Sequence, residues 1–289
     1  MKPGRPFNSK PNPMKTAIVT DSTADVPSTL AQKLKIHVIP AILMIEGQSY
    51  EDGQGFSRQE FYERLPNMQR QPSTGTPSAG AFEAVYQQLF AQGVETIVSI
   101  HVASLLSGIY NTARLAAQSF GERVHVIDSQ SLSLGFGFQV LAAAEAAAQR
   151  QPIEKILAQI ESTRRHTHLC AMLDTLEYVR RSGRVGWARA RIGSLLRIKP
   201  FVEVKDGQVF NLGQERTRRN GLARLRELLQ NAGELERLAI LHTNAETEAQ
   251  YFLSEIDWPI PANPLIVNIT TVIGTHVGPN ALGFAAVSK

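Results

Sequence analysis

Side-chain hydroxyls crowd three short stretches of this 289-residue chain. Residues 21–25 (DSTAD) follow a first run of β-branched residues, 72–78 (PSTGTPS) precede a helical pattern, and 102–108 (VASLLSG) lead from a strand pattern into a helix pattern. Ser, Thr and Asp at such places have two uses. They are preferred helix N-caps, and the unpaired N–H groups beside them, with their partial positive charge, also hold a carboxylate or phosphate. With Leu105 and Leu106 inside the third stretch and Phe136 and Phe138 later in the chain, such loops suit an amphiphile with a small anionic head. Spacing alone leaves capping and binding both open.

Other candidates carry blander readings. His276, in the segment 275–279 (THVGP), has the setting of a turn residue. His166 and His168 alternate as ligands on a strand would, yet no nearby Cys, Asp or Glu completes a metal set. Cys170 is the only cysteine and sits in an apolar strand as an inert core thiol. A single cysteine excludes an intramolecular disulfide framework and a cysteine zinc site. Asp21 and Asp128 each follow a strand, where capping the next turn is the expected duty. The run 135–137 (GFG) lacks the third glycine of a dinucleotide fingerprint, and the chain has neither a P-loop lysine motif nor a G-x-S-x-G elbow.

Parallel sheets present ligands beyond the carboxyl ends of their strands, and the elements here read that way. Strands are expected at 16–20, 36–44, 96–100 and 123–127. Helices lie between them, one with Pro27 as its first residue, one at Ser57 with Glu60 as capping-box partner, one after Pro77, one after Ser107, and an Ala-rich one over 134–149. This alternation predicts an α/β fold with a mostly parallel sheet covered by helices on both faces. After Pro152 the texture changes. A helix, a strand at 166–172, an arginine-rich helical stretch, a hairpin over 198–211 turning at Asp206-Gly207, a helix from Thr217 and strands at 238–242, 265–270 and 281–287 predict an α+β domain with a mixed sheet. The expected organisation is a disordered leader over 1–15, an N-terminal α/β domain over 16–151 and a C-terminal α+β domain over 152–289.

Apolar residues make up 43% and charged residues 19%, enough for a sizeable core. No run approaches the ~18 apolar residues of a membrane span, and the proline-rich, cationic first fifteen residues fail as a signal peptide. A soluble, cytoplasmic protein is predicted. The net charge of +4 is uneven: residues 164–226 hold fifteen Lys/Arg against five Asp/Glu. Such a segment suits an acidic partner. It has no interleaved aromatics and no helix-turn-helix, ribonucleoprotein or zinc-finger spacing, so specific nucleic-acid binding is not expected.

The chain resembles the DegV family of bacterial fatty-acid-binding proteins from Lys15 essentially to its end. The resemblance is carried by residues 18–25 (IVTDSTAD), 73–78 (STGTPS), 104–110 (SLLSGIY), 126–129 (VIDS), 176–184 (LEYVRRSGR), 196–200 (LRIKP) and 274–279 (GTHVGP), in the family's order. It implies two domains with a long-chain (C14–C18) fatty acid between them and no other cofactor, metal or catalytic residue. By the same resemblance, Thr74 and Ser107 match the hydroxyls that hold the carboxylate, and His276 faces the head group. Ser104, Gly108 and Thr275 belong to the same head-group motifs. The resemblance further implies a carrier that presents the carboxylate to a separate ATP-dependent fatty acid kinase, with Arg180, Arg181 and Arg184 docking that kinase or balancing acyl-phosphate charge. Gly75, Ala103 and Ile109 stand where the family has hydroxyl residues, which implies leaner hydrogen bonding to the head group.

Two other functions remain at this level. A serine-dependent acyl hydrolase or transferase would use Ser107 with His276 as base and needs a third group to orient the imidazole. A nucleic-acid or regulatory protein would work through the arginine-rich segment, with strongly salt-dependent binding. For the carrier, the acyl tail is expected against Leu105, Leu106, Ile109 and Phe136.

Overall fold

The computed structural model describes residues 15–190 and 198–289. All but the last residue of the leader expected at 1–15, and the first two residues of the 196–200 motif, lie outside the described residues. β1 (Thr16–Asp21) passes through a 3-10 turn at Ser22–Ala24 into α1 (Ser28–Lys33), and β2 (His37–Ile39) returns beside it. β3 (Ile42–Ile45), β4 (Gln48–Glu51), α2 (Arg58–Arg64) and the short β5 (Ser73–Gly75) form a separate unit before α3 (Ala79–Ala91). Then come β6 (Thr96–His101), α4 (Ile109–Ala117), β7 (Val124–Asp128), α5 (Leu134–Ala148) and α6 (Ile153–Arg165). The remaining elements are β8 (Thr167–Met172), α7 (Glu177–Ser182), α8 (Gly186–Ala190), β9 (Lys199–Lys205), β10 (Gln208–Glu215), α9 (Arg218–Gln230), β11 (Leu235–His242), α10 (Glu246–Ser254), β12 (Leu265–Asn268), α11 (Thr271–Val277) and β13 (Leu282–Ser288).

The expected fold class stands. A four-stranded parallel sheet, ordered β2-β1-β6-β7, is flanked by helices, and a six-stranded mixed sheet is ordered β10-β9-β8-β13-β11-β12. Within the mixed sheet only β11 and β12 run parallel. Three details differ from the sequence reading. The apolar run 36–44 breaks at Pro40-Ala41, so β2 pairs with β1 while β3 leaves for a three-stranded antiparallel sheet, β4-β3-β5. The hydroxyl-rich segment 72–78 contains a strand, since Thr74 pairs with Leu43 across β3 and β5. Pro27 is the N-cap of α1 and not its first helical residue, because its ψ of 134° is still extended.

Capping works largely as read. Ser57 accepts from the Glu60 N–H at the start of α2, Ser78 caps α3 and Thr217 caps α9. The Ala-rich α5 is apolar nearly all round, the mark of a helix with no solvent face, and residues Leu134 to Ala144 are all buried. It packs between the two large sheets, touching β1 and β6 on one side and β8, β11 and β13 on the other. One hydrophobic core accordingly runs from Ile18 and Val98 through Phe136 and Leu141 to Leu241 and Ala285.

Candidate functional site

One cavity of about 210 Å³ opens among these layers, and its wall is overwhelmingly apolar. Leu106 and Ile109 come from the β6–α4 segment, Val202, Val204 and Val209 from the β9–β10 hairpin, and Ile269, Val272, Ile273 and Val277 from one face of α11 and the turn before it. Of the side chains expected along a tail, Leu106 and Ile109 line the cavity. Leu105 is instead 65% exposed, and Phe136 is fully buried in the core without reaching the cavity. Adjacent residues in a tight turn point in different directions, so only one of the two leucines faces inward.

Polar side chains punctuate this wall. Thr74 from β5, Ser107 ahead of α4 and His276 from α11 line it, as do Gly108, Thr76, Ser182 and Arg184, and Thr23, Ser133, His242 and Thr243 line it as well. Thr74 Oγ1 and His276 Nε2 are 3.0 Å apart, a hydrogen bond between residues 202 apart in sequence. The other imidazole nitrogen, Nδ1, is buried and has no partner among the described residues. Burial, assisted by the Arg184 charge, lowers the His276 pKa to about 4, so the ring is neutral at pH 7. Ser107 Oγ accepts from the Ile109 N–H at 3.3 Å, and its own proton has no acceptor among the described residues. His276 is not a turn residue: it lies in the last turn of a seven-residue helix rich in β-branched residues.

Two expected members stand apart. Thr275 donates to the Thr271 carbonyl at 2.9 Å and does not line the cavity. Ser104 is also absent from the lining, with its N–H bound to Asp128 Oδ1 at 3.2 Å.

A second polar cluster holds the opposite end of α11, and of its members only Asp25, in the 18–25 motif, was singled out by sequence reasoning. Asp25 is buried and accepts from the Thr270 N–H at 2.8 Å and from Ser133 Oγ at 2.7 Å, with Arg58 ion-paired at 3.1 Å. Desolvation raises the Asp25 pKa to about 7 despite Arg58. Asp52 accepts from both Thr270 Oγ1 (2.5 Å) and Thr271 Oγ1 (2.9 Å). Tyr62 donates towards the carbonyls of Ile269 and Thr270, and Arg58 to that of Asn268. A Cβ on Gly274 would lie 2.3 Å from the Tyr62 hydroxyl, so only glycine lets α11 approach α2 this closely.

The profile of the family described as "Uncharacterised protein, DegV family" matches residues 15–289. The chain belongs to the DegV family. It is 36% identical over 283 residues to a DegV domain-containing protein of Deinococcus radiodurans, covering 94% of this chain and 98% of that one. Among solved structures it is similar to a fatty-acid-binding DegV family protein of Thermus thermophilus (TM-score 0.87, 31% identity, 96% of this chain and 100% of that one). It is equally close in sequence to DegV of Bacillus subtilis, a fatty-acid-binding protein (TM-score 0.84, 31% identity, with the same coverage).

The DegV motifs therefore converge on the cavity from the 73–78, 104–110, 176–184 and 274–279 segments, and the 18–25 motif reaches it through Thr23 while, with 126–129, building the framework beneath it. Asp21 caps the turn after β1 through the Thr23 N–H and also accepts from the Val102 N–H at 3.2 Å. It pairs with His101 Nδ1 at 3.0 Å, whose Nε2 meets Ser99 Oγ at 2.7 Å, and Ser99 meets the Tyr86 hydroxyl at 2.8 Å. This Asp–His–Ser order resembles a catalytic triad, but all three side chains are fully buried and Ser99 does not line the cavity. Its use is to tie the loops after β1 and β6 together. The Ser107–His276 pair has the opposite fault for nucleophilic catalysis, since Nε2 is engaged by Thr74 and nothing orients Nδ1.

In the basic segment, Arg181 pairs with Glu177, Lys199 with Asp174, Arg218 with Glu248, Arg224 with Glu215 and Arg226 with Glu255, which dissipates much of the local charge. Arg180 and Arg184 are exposed, and Arg184 alone of the three predicted arginines reaches the cavity. Trp187 Nε1 donates to the Val209 carbonyl at 2.9 Å, pinning α8 to β10 beside the cavity wall. Cys170 is buried with its thiol pushed up to about 12, as an inert core residue should be. No group of three His, Cys, Asp or Glu side chains suited to a metal occurs among the described residues, and no helix among them is long and apolar enough to cross a membrane.

Proposed function

We propose that this chain binds one long-chain fatty acid in the cavity, holds its carboxylate with Thr74, Ser107 and His276, and presents it to a separate ATP-dependent kinase that forms the acyl phosphate. The observation that carries the reading is the pairing of an apolar cavity with a small polar corner built from neutral donors. Thr74 and the neutral His276 share one hydrogen bond, so one of their two protons remains to be given away. Either the Thr74 hydroxyl or His276 N–H supplies it, according to tautomer. Ser107 supplies a second. Two donors for two carboxylate oxygens, with the Arg184 cation nearby, satisfy the head group without a buried salt bridge.

The apolar wall suits an acyl tail. Burying a sixteen-carbon tail at ~0.8 kcal/mol per methylene contributes ~12 kcal/mol gross, which outweighs much of the association cost. Arg180 and Arg184, both exposed, are the cations we assign to docking a kinase or balancing acyl-phosphate charge. The fatty-acid binding described for the Thermus and Bacillus relatives supports the same ligand class.

Mass spectrometry of the untreated protein tests this reading, first under native conditions and then after organic extraction. A bound mass that resolves into a C14–C18 fatty acid is the expected result. A clean apo mass, with no uptake of added palmitate or oleate, would remove it.

A further inference from the structure

We propose that Asp52, acting with Asp25, Arg58 and Tyr62, is a clasp that sets α11 so that His276 meets Thr74, which makes these four positioning residues for the head-group site. The proposal rests on the fatty-acid reading above. The turn from β12 into α11 commits many of its polar groups to these four side chains, while the Ile269 N–H goes to the His242 carbonyl and Asn268 Oδ1 accepts from the Asn244 N–H. The carbonyls of Asn268, Ile269 and Thr270, the N–H of Thr270, and the hydroxyls of Thr270 and Thr271 all end on them. Local capping does not require this. Thr270 already caps α11 by accepting from the Val272 N–H at 3.1 Å, so the gift of its proton to Asp52 is an added tie.

All four residues lie within 25–62, on the side of the cavity that carries Thr74. Asp52 directly follows β4, and its N–H is held by the Ala41 carbonyl at 2.8 Å. Thr74 lies on β5, and β4 and β5 both pair with β3. That small sheet packs with α2 over its own apolar cluster of Leu43, Ile45, Phe61, Tyr62 and Leu65. The small sheet with α2 and the helix α11 thus meet along the helix: Asp52, Arg58 and Tyr62 hold its N-terminal turn, Gly274 lies against Tyr62, and Thr74 meets His276 towards the other end. Among the described residues, Asp52 is the one tie to the Thr270 and Thr271 hydroxyls from the small sheet, and releasing it lets the Thr74–His276 bond lengthen.

The test uses the full chain as Asp52→Asn and Asp52→Ala, with Thr74→Val for reference. The ¹⁵N-detected imidazole resonances of His276 in delipidated protein are read first. The clasp predicts that both Asp52 variants move the His276 signals towards those of Thr74→Val while the folded spectrum is otherwise retained. Binding of palmitate and of hexadecanol, which has the tail without the carboxylate, is read second. Asp52→Asn should weaken palmitate about tenfold, leave hexadecanol within about twofold, and add nothing further to Thr74→Val in the double variant. Unmoved His276 signals, or equal losses for acid and alcohol, would overturn the clasp. If the wild-type chain binds neither molecule, the fatty-acid reading fails, and the imidazole spectra still decide whether Asp52 positions His276.

Discussion

Thr74 and His276 divide the work of one proton, and each single-residue change at that corner has a definite expected cost. Thr74→Val keeps the shape and removes the hydroxyl, leaving an imidazole nitrogen and a carboxylate oxygen both short of a partner. Palmitate affinity measured by calorimetry should fall by ~1–3 kcal/mol, and Ser107→Ala should do the same. Undiminished binding in both variants would falsify the head-group assignment. Asp25 makes a prediction of a different sign. Its carboxyl is raised from 3.8 to about 7 in the folded state by burial, against the pull of Arg58, Ser133 and the Thr270 N–H and with the push of Asp52. A raised acid pKa means the folded state binds the proton more tightly than the unfolded chain. The resulting stability is fully present below about pH 4 and is lost as the pH climbs through about 7. Compared with Asp25→Asn in urea melts at a series of pH values, the wild type should lose on the order of 4 kcal/mol more between pH 4 and pH 8. Parallel pH curves for the two proteins would show that Asp25 is already ionised throughout.

At the scale of elements, α11 is where small changes should tell. Gly274→Ala places a methyl 2.3 Å from the Tyr62 hydroxyl, inside a helix clasped at its N-terminus and unable to slide. Overpacking of this kind costs ~1–3 kcal/mol, which thermal unfolding would register as a drop of several degrees. An unchanged midpoint would mean that α2 and α11 yield readily. This same helix marks the boundary of what could be read in advance. Long, periodic or capped elements such as α3, α5, α9 and the β9–β10 hairpin announce themselves through spacing, Ser or Thr caps and the Asp206-Gly207 turn. α11 does not, because seven residues complete fewer than two turns and Thr271, Val272, Ile273 and Thr275 are strand formers by preference. β5 is hidden for a related reason: three residues of Ser, Thr and Gly become a strand only because β3 lies beside them. The candidate site was legible as a set of motifs, Thr74, Ser107 and His276 among them. Its geometry was not, since the Thr74–His276 bond and the Asp52 clasp are made between distant segments. Ser104, Thr275 and Leu105 show the same limit from the other side, being near the site in sequence and off its lining in space, and Phe136, expected there for its type, is buried in the core instead.

The whole molecule builds its cavity from both large sheets, the small sheet and α11, so occupancy and global stability are linked. A ligand that binds only the folded chain stabilises it by ~4 kcal/mol at a thousand times its dissociation constant. Delipidated protein should therefore melt several degrees below protein reloaded with palmitate, and differential scanning calorimetry at fixed protein concentration measures the gap. Coincident transitions would mean that the acid is held no more tightly by the folded state than by the unfolded one. The tie between α8 and β10 has an optical side. The chain has two tryptophans. Trp258 packs in the cluster of Leu229, Leu238 and Phe252, away from the cavity. Trp187 is half-buried next to Val185 and Val209, both of which line it. With Trp258 replaced by Phe, the one remaining indole sits against the wall that an acyl chain would touch. The protein then carries its own gauge of filling and emptying, readable as a shift in emission wavelength without any added dye.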